Sequence, residues 1–138
     1  AVKAMGIDGQ RYLRSLYANT LFTIALPVAS LLTTVAGILL WIRVSDNFNA
    51  DYMGSSGGSV LSIGALFGIL AFGHGGAAIG RYTGRHHKAL DVAFADGNVT
   101  SEQETEIMEL NSKVNLHVNI SLGLMIIAVV GMSIHRYV

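Results

Sequence analysis

The chain has 138 residues, 9 of them basic and 9 acidic, so its formal net charge is zero. Apolar residues make up 51% of it and charged residues only 13%, about half of the roughly 25% that a soluble domain carries. Disorder is excluded, because that class is poor in apolar residues and rich in net charge. No basic excess exists to displace counterions from a nucleic acid, and with no cysteine there is neither a disulfide framework nor thiol chemistry.

Residues 1–19, AVKAMGIDGQRYLRSLYAN, have no apolar stretch flanked by a cleavage site and read as a cytoplasmic linker or helix. Gln10–Asn19 is expected to extend the first span inward. Because the chain opens on Ala1, a preceding segment with a fourth span is expected. Residues 20–42 then run 23 residues without a charge. At about 1.5 Å per residue this crosses the roughly 30 Å hydrocarbon layer. Pro27 falls one turn in and predicts a mild kink. An external loop, 43–57, holds Asp46 and Asp51, with Arg43 at its border. Residues 58–80 form a second uncharged span, interrupted only by His74, and 116–135 form a third, with Leu116–Ile134 uncharged. All three are apolar around their whole circumference, not along one stripe. The fold class is therefore all-α: a membrane helical bundle with three visible transmembrane helices.

Charge placement orients the bundle. Lys3, Arg11 and Arg14 precede the first span, and Arg81, Arg85 and Lys88 follow the second. Lys and Arg collect on the cytoplasmic side, so residues 1–19 and 81–115 are expected there, in a bacterial inner membrane. Trp41, Tyr52, Tyr82 and Tyr137 are placed near interfaces. In the cytoplasmic connection, Asp96-Gly97-Asn98 signals a turn, and Ser101 with Glu104 matches a capping box. Acidic residues crowd the start of the following helix, as its dipole favours. Ile107, Leu110 and Val114 give it one apolar stripe. It is expected to continue into the third span, reaching about 35 residues at helical rise, and to pair with the basic Arg81–Lys88 turn, to form a docking surface for a partner, or to stay solvated.

The second span is rich in glycine. Gly64 and Gly68 are four apart, as are Gly76, Gly80 and Gly84, with Gly73 and Ala77 as a further small pair. Small residues at this spacing let backbones approach, and close packing is expected at the cytoplasmic half, within the bundle or against a neighbour or flat cofactor. His74 is the one ionisable group well inside a span, which makes it a functional candidate. Either it is hydrogen-bonded to a facing carbonyl or hydroxyl, or it ligates haem iron or a chlorin magnesium. His117 is the sole partner for bis-His ligation, but it is placed about a turn shallower. His86 and His87, adjacent and therefore poor chelators, read as interfacial. No P-loop, nucleophile elbow, HExxH or intramembrane carboxylate is present. Neither an enzyme nor a proton-coupled transporter finds its usual groups.

Leu26–Phe48, Ser59–Phe72, Ile79–Arg85, the acidic Ser101–Val114 helix and the terminal His135–Val138 together resemble small four-helix bacterial membrane proteins of the copper-resistance-protein-D-like and DUF2269 type. The resemblance implies a four-helix fold whose first helix, with a His and a Trp, precedes this chain. It implies no activity and no ligand role for His74, His117 or His135. The leading expectation is a non-catalytic subunit of a respiratory or photosynthetic membrane complex, with lipids and that complex as partners. The alternatives are a haem- or chlorin-binding protein using His74 and a small metal-handling transporter.

Overall fold

The computed structural model describes residues 6–19, 21–95 and 98–138, and is all-helical there. Helix α1 covers Gly6–Asn19, α2 Phe22–Val44, α3 Ala50–Gly54 and α4 Ser56–His74. A π-helical turn at Gly75–Ile79 joins α4 directly to α5, Gly80–Ala93, and α6 runs from Ser101 to Ile134. Ala1, Lys3, Thr20 and the Asp96-Gly97 part of the expected turn lie outside the described residues. Three stretches, Ile24–Val44, Ser56–Ala93 and Ser101–Ile134, are long and apolar enough to cross a membrane.

Two boundaries differ from expectation. The helix that carries the second span does not stop at Gly80 but continues through the basic residues to Ala93. Ala89, Leu90 and Ala93 give that extension an apolar side that packs on α6, so helix is retained where charge alone suggested a turn. At the start of α6 the capping box is shifted by one residue. Thr100 is the N-cap, with the Gln103 amide donating to Thr100 Oγ1 at 3.3 Å and the Thr100 N–H donating to Gln103 Oε1 at 2.9 Å. A threonine with glutamine three residues on satisfies the same pattern as Ser101 with Glu104. From that cap α6 runs 34 residues without a break.

Within the spans, association rests on one close approach. An ideal Cβ on Gly64 would lie 2.9 Å from the Met132 N and 3.2 Å from the Gly131 carbonyl carbon. One on Gly131 would meet the Gly64 Cα at 3.0 Å. Lipid supplies no hydrophobic drive between helices, so contact at this distance is what holds α4 to α6. Gly68 adds looser contacts to the Met132 and Ala128 side chains. This packing sits on the half of α4 away from the basic end, opposite to the expected position. By contrast α2 has none of its central apolar window buried. It continues as helix through Pro27, and the Ser30, Thr33 and Thr34 hydroxyls donate to the Pro27, Ala29 and Ser30 carbonyls at 2.8 Å.

The loop after α2 is tightly built. Asp46, Asn47 and Phe48 take φ values of 48°, 56° and 62°, a left-handed run that costs about 1–2 kcal/mol per non-glycine residue. Ser45, fully buried, counters this: its hydroxyl donates to the Ile42 carbonyl and accepts from the Phe48 N–H, each at 3.1 Å. The Phe48 ring also meets Trp41 edge-on at 5.2 Å. Asn49 then caps α3.

The principal apolar core, Leu90, Ala93, Phe94 and Ile107, lies at the basic end, with Ile7, Ala89 and Val99 against it. There α1 is tied to α5 by Arg14 Nε–Asp91 Oδ1 at 2.8 Å and by Arg11 over the Phe94 ring at 5.2 Å. Residues expected on one side of the membrane therefore meet at one end of the bundle. At the other end Gly57 lies against the His135 and Val138 carbonyls.

Gly64→Leu is expected to lower the stability of the purified protein by about 1–3 kcal/mol through overpacking. Gly76→Leu, where a Cβ meets nothing within 4 Å, is expected to leave it unchanged. Thermal unfolding in detergent reads the difference.

Candidate functional site

His74 closes α4 immediately before the π turn, and His117 lies on α6. His117 Nδ1 and His74 Nε2 are 3.2 Å apart, so one ring donates an N–H to the bare nitrogen of the other. The rings are tilted by 46°, with centroids 5.1 Å apart. Tyr82 also stacks on His117, its ring 5.0 Å away and only 14° from parallel. His74 is thus satisfied by a histidine, not by the carbonyl or hydroxyl expected, and His117 is level with it, not a turn shallower.

The π turn accounts for how His74 and Tyr82 reach the same helix. Eight residues along a regular helix turn through about 800°, leaving the two side chains some 80° apart. One extra residue in the turn sets Tyr82 back by about 100°, to within roughly 20° of His74. Four of the five residues of the turn, Gly75, Gly76, Ala77 and Ala78, are small; only Ile79 at its end is β-branched. Composition revealed the small residues but not this register shift, which is a backbone hydrogen-bonding choice.

Ligand chemistry at the pair is restricted. Two histidines sandwiching a haem iron need about 4 Å between nitrogens, given metal–nitrogen bonds near 2 Å, with the macrocycle between the rings. A direct contact at 3.2 Å leaves no such space. Single axial ligation by His74 Nε2 requires that its contact with His117 be given up. Among the described residues no three His, Cys, Asp or Glu side chains converge as a metal site.

The six glycines singled out in the sequence divide sharply. Gly64 and Gly68 pack on α6, whereas a Cβ on Gly73, Gly76 or Gly84 would meet nothing within 4 Å. At Gly80 it would reach only the Gly75 carbonyl of its own helix, at 4.0 Å. Among the described residues, none from another helix therefore comes within 4 Å of a Cβ placed on the glycines of the basic half.

His86 is buried at 4% exposure, so the expectation of an interfacial pair fails for it. Its neighbour His87 is half-buried. One helical turn from Leu90, His86 falls on the side of α5 that packs into the core. Burial, and secondarily the charge of His87, lower its pKa below the usual imidazole value. On α6 the exposed Lys113–Glu109 pair, at 2.6 Å, lowers the Glu109 pKa and raises that of Lys113, chiefly through their hydrogen bond.

No family model, curated protein or solved structure matches this chain.

Removing one member of the histidine pair strands the other. His117→Leu is expected to destabilise by about 1–3 kcal/mol, with much of the loss recovered in a His74→Leu/His117→Leu double variant; a thermal double-mutant cycle measures this. His86 gives a pH dependence of known sign. Its folded-state pKa lies below 6.5, so the unfolded chain takes up the proton first. The stability contributed is whole above about pH 6.5 and declines as pH falls towards the folded pKa. The protection factors of the Leu90 and Ala93 amides, that is, exchange rates corrected for their intrinsic pH dependence, should fall between about pH 7.5 and pH 5.5, and His86→Phe should flatten that response.

Proposed function

We propose that this protein is a non-catalytic transmembrane subunit that packs against a larger membrane complex through the open glycine face of its second span. The observation that carries this reading is the division of the glycines. Each glycine in a helix costs about 1 kcal/mol relative to alanine, and in lipid such a row is useful where another backbone comes close. Gly64 has that partner within the chain; Gly73, Gly76 and Gly84 have none among the described residues. The unburied α2 leaves a second helix for neighbours or lipid. A respiratory or photosynthetic complex, in a bacterial inner membrane with residues 1–19 and 81–115 cytoplasmic, is the assembly proposed. The basic residues gathered at one end support that orientation.

The absence of cysteine makes the test clean. Single cysteines at Gly76 and Gly84, carrying a short photo-crosslinker, are expected to capture one discrete protein in native membranes, while a cysteine at Tyr137 does not. Capture of lipid alone, together with monodisperse isolation in mild detergent, would overturn the proposal.

A further inference from the structure

The basic end holds a cleft that the histidine pair and the glycine face do not involve. It lies between α5 and α6, has a volume of about 240 Å³ and is lined by Arg85, Lys88, Ala89, Val92, Gln103 and Glu106. Three features mark it. Arg85 and Lys88 form no ion pair among the described residues, although Glu106 lines the same cleft and Asp91, on the same helix, is engaged by Arg14. Gln103 already uses Oε1 to accept from the Thr100 N–H, which leaves its amide N–H groups as donors. Ala89 and the exposed Val92 supply an apolar wall beside these polar groups.

Position along the helix identifies what reaches such a cleft. Between Asp51 and Arg81 there is no charged residue, so the hydrocarbon layer ends near Arg81. Arg85 follows about 6 Å further along a helical rise, within the headgroup layer of roughly 5–7 Å that flanks the hydrocarbon core. Lys88 follows at about 10 Å, just beyond it, on a long side chain that tilts back towards the helix N-terminus and so towards that layer. An arginine presents a planar fork matched to phosphate oxygens, and a lysine adds a point charge beside it. Glu106, when ionised, can only accept hydrogen bonds. A ligand that satisfies all three carries a phosphodiester and, one short linker away, an N–H or O–H donor.

We propose that the α5–α6 cleft binds the headgroup of a phospholipid whose phosphodiester lies on Arg85 and Lys88 and whose terminal ammonium or hydroxyl donates to Glu106. Ethanolamine and glycerol headgroups meet this description. Choline has the phosphate but neither N–H nor O–H, so the site discriminates against it. None of the residues lining the cleft is one of the glycines proposed above to meet the partner complex.

Native mass spectrometry of the delipidated full chain, titrated separately with phosphatidylethanolamine, phosphatidylglycerol and phosphatidylcholine, tests this. One ethanolamine or glycerol lipid is expected to be retained at least fivefold more strongly than the choline lipid. Arg85→Gln/Lys88→Gln should weaken retention about tenfold, whereas Glu106→Gln should mainly erase the preference over choline. Arg136→Gln, at the far end of the bundle, controls for charge alone and should change nothing. Equal retention of all three lipids, an unaffected Arg85→Gln/Lys88→Gln variant, or competition by glycerol phosphate as effective as the whole lipid would each overturn the assignment. Should the double variant lose helicity, the choline discrimination of the folded Glu106→Gln protein decides alone.

Discussion

The approach of Gly64 to Gly131 is the contact on which the membrane part of this bundle depends. Two long apolar helices in lipid gain nothing by hiding hydrophobic surface from each other, so their association needs backbone proximity. Here only hydrogen atoms separate the main chains at the crossing, and a methyl group on either glycine would collide with the partner backbone. Once α4 and α6 are clamped there, their continuations are committed to run side by side. That places His74 opposite His117 and, further on, Leu90 opposite Ile107. The histidine contact is thus a consequence of a crossing more than two turns away along α4.

Two different solvents shape the two halves. In the spans large apolar residues remain exposed on all sides, with Ile24, Leu32, Leu66, Ile126 and Val129 each more than half open. In water this would be intolerable; in a bilayer it is the expected state of a helix with few protein neighbours. Beyond the spans the ordinary rule returns. Leu90 and Ile107 are fully buried, α1 folds across them, and charge pairs decorate the outside. The π turn joins the apolar α4 to α5, one side of which packs into this second core. His86 is buried among those contacts, and burial lowers its pKa. The leftover cations on the rim of that core, Arg85 and Lys88, are the groups that a membrane surface can satisfy.

Much of this was legible in the residues. The three uncharged runs were visible as lengths of chain without a solvated side chain, because charge is too costly in hydrocarbon to be scattered. The long α6 followed from an apolar stripe leading into such a run. The glycine spacing of four marked Gly64, which packs on α6, and equally Gly76 and Gly84, because spacing records the capacity for approach and not the existence of a partner. Ser101 and Glu104 matched a cap as well as Thr100 and Gln103 did, and only backbone geometry separates frames that differ by one residue. His86 beside His87 looked interfacial since adjacency carries no information on which side of a helix faces a core.

By itself, then, the sequence determined where the chain meets lipid and where it meets water. Solvation energies are additive along the chain and need no knowledge of neighbours. Tertiary structure decided which surfaces meet: the α4–α6 crossing at one half, the pairing of His74 with His117, and the burial of His86. It also left Gly73, Gly76 and Gly84 uncovered. Those outcomes depend on relative rotation and register between helices. A single π turn alters both by about 100°, and nothing in the periodicity of an all-round apolar helix encodes it.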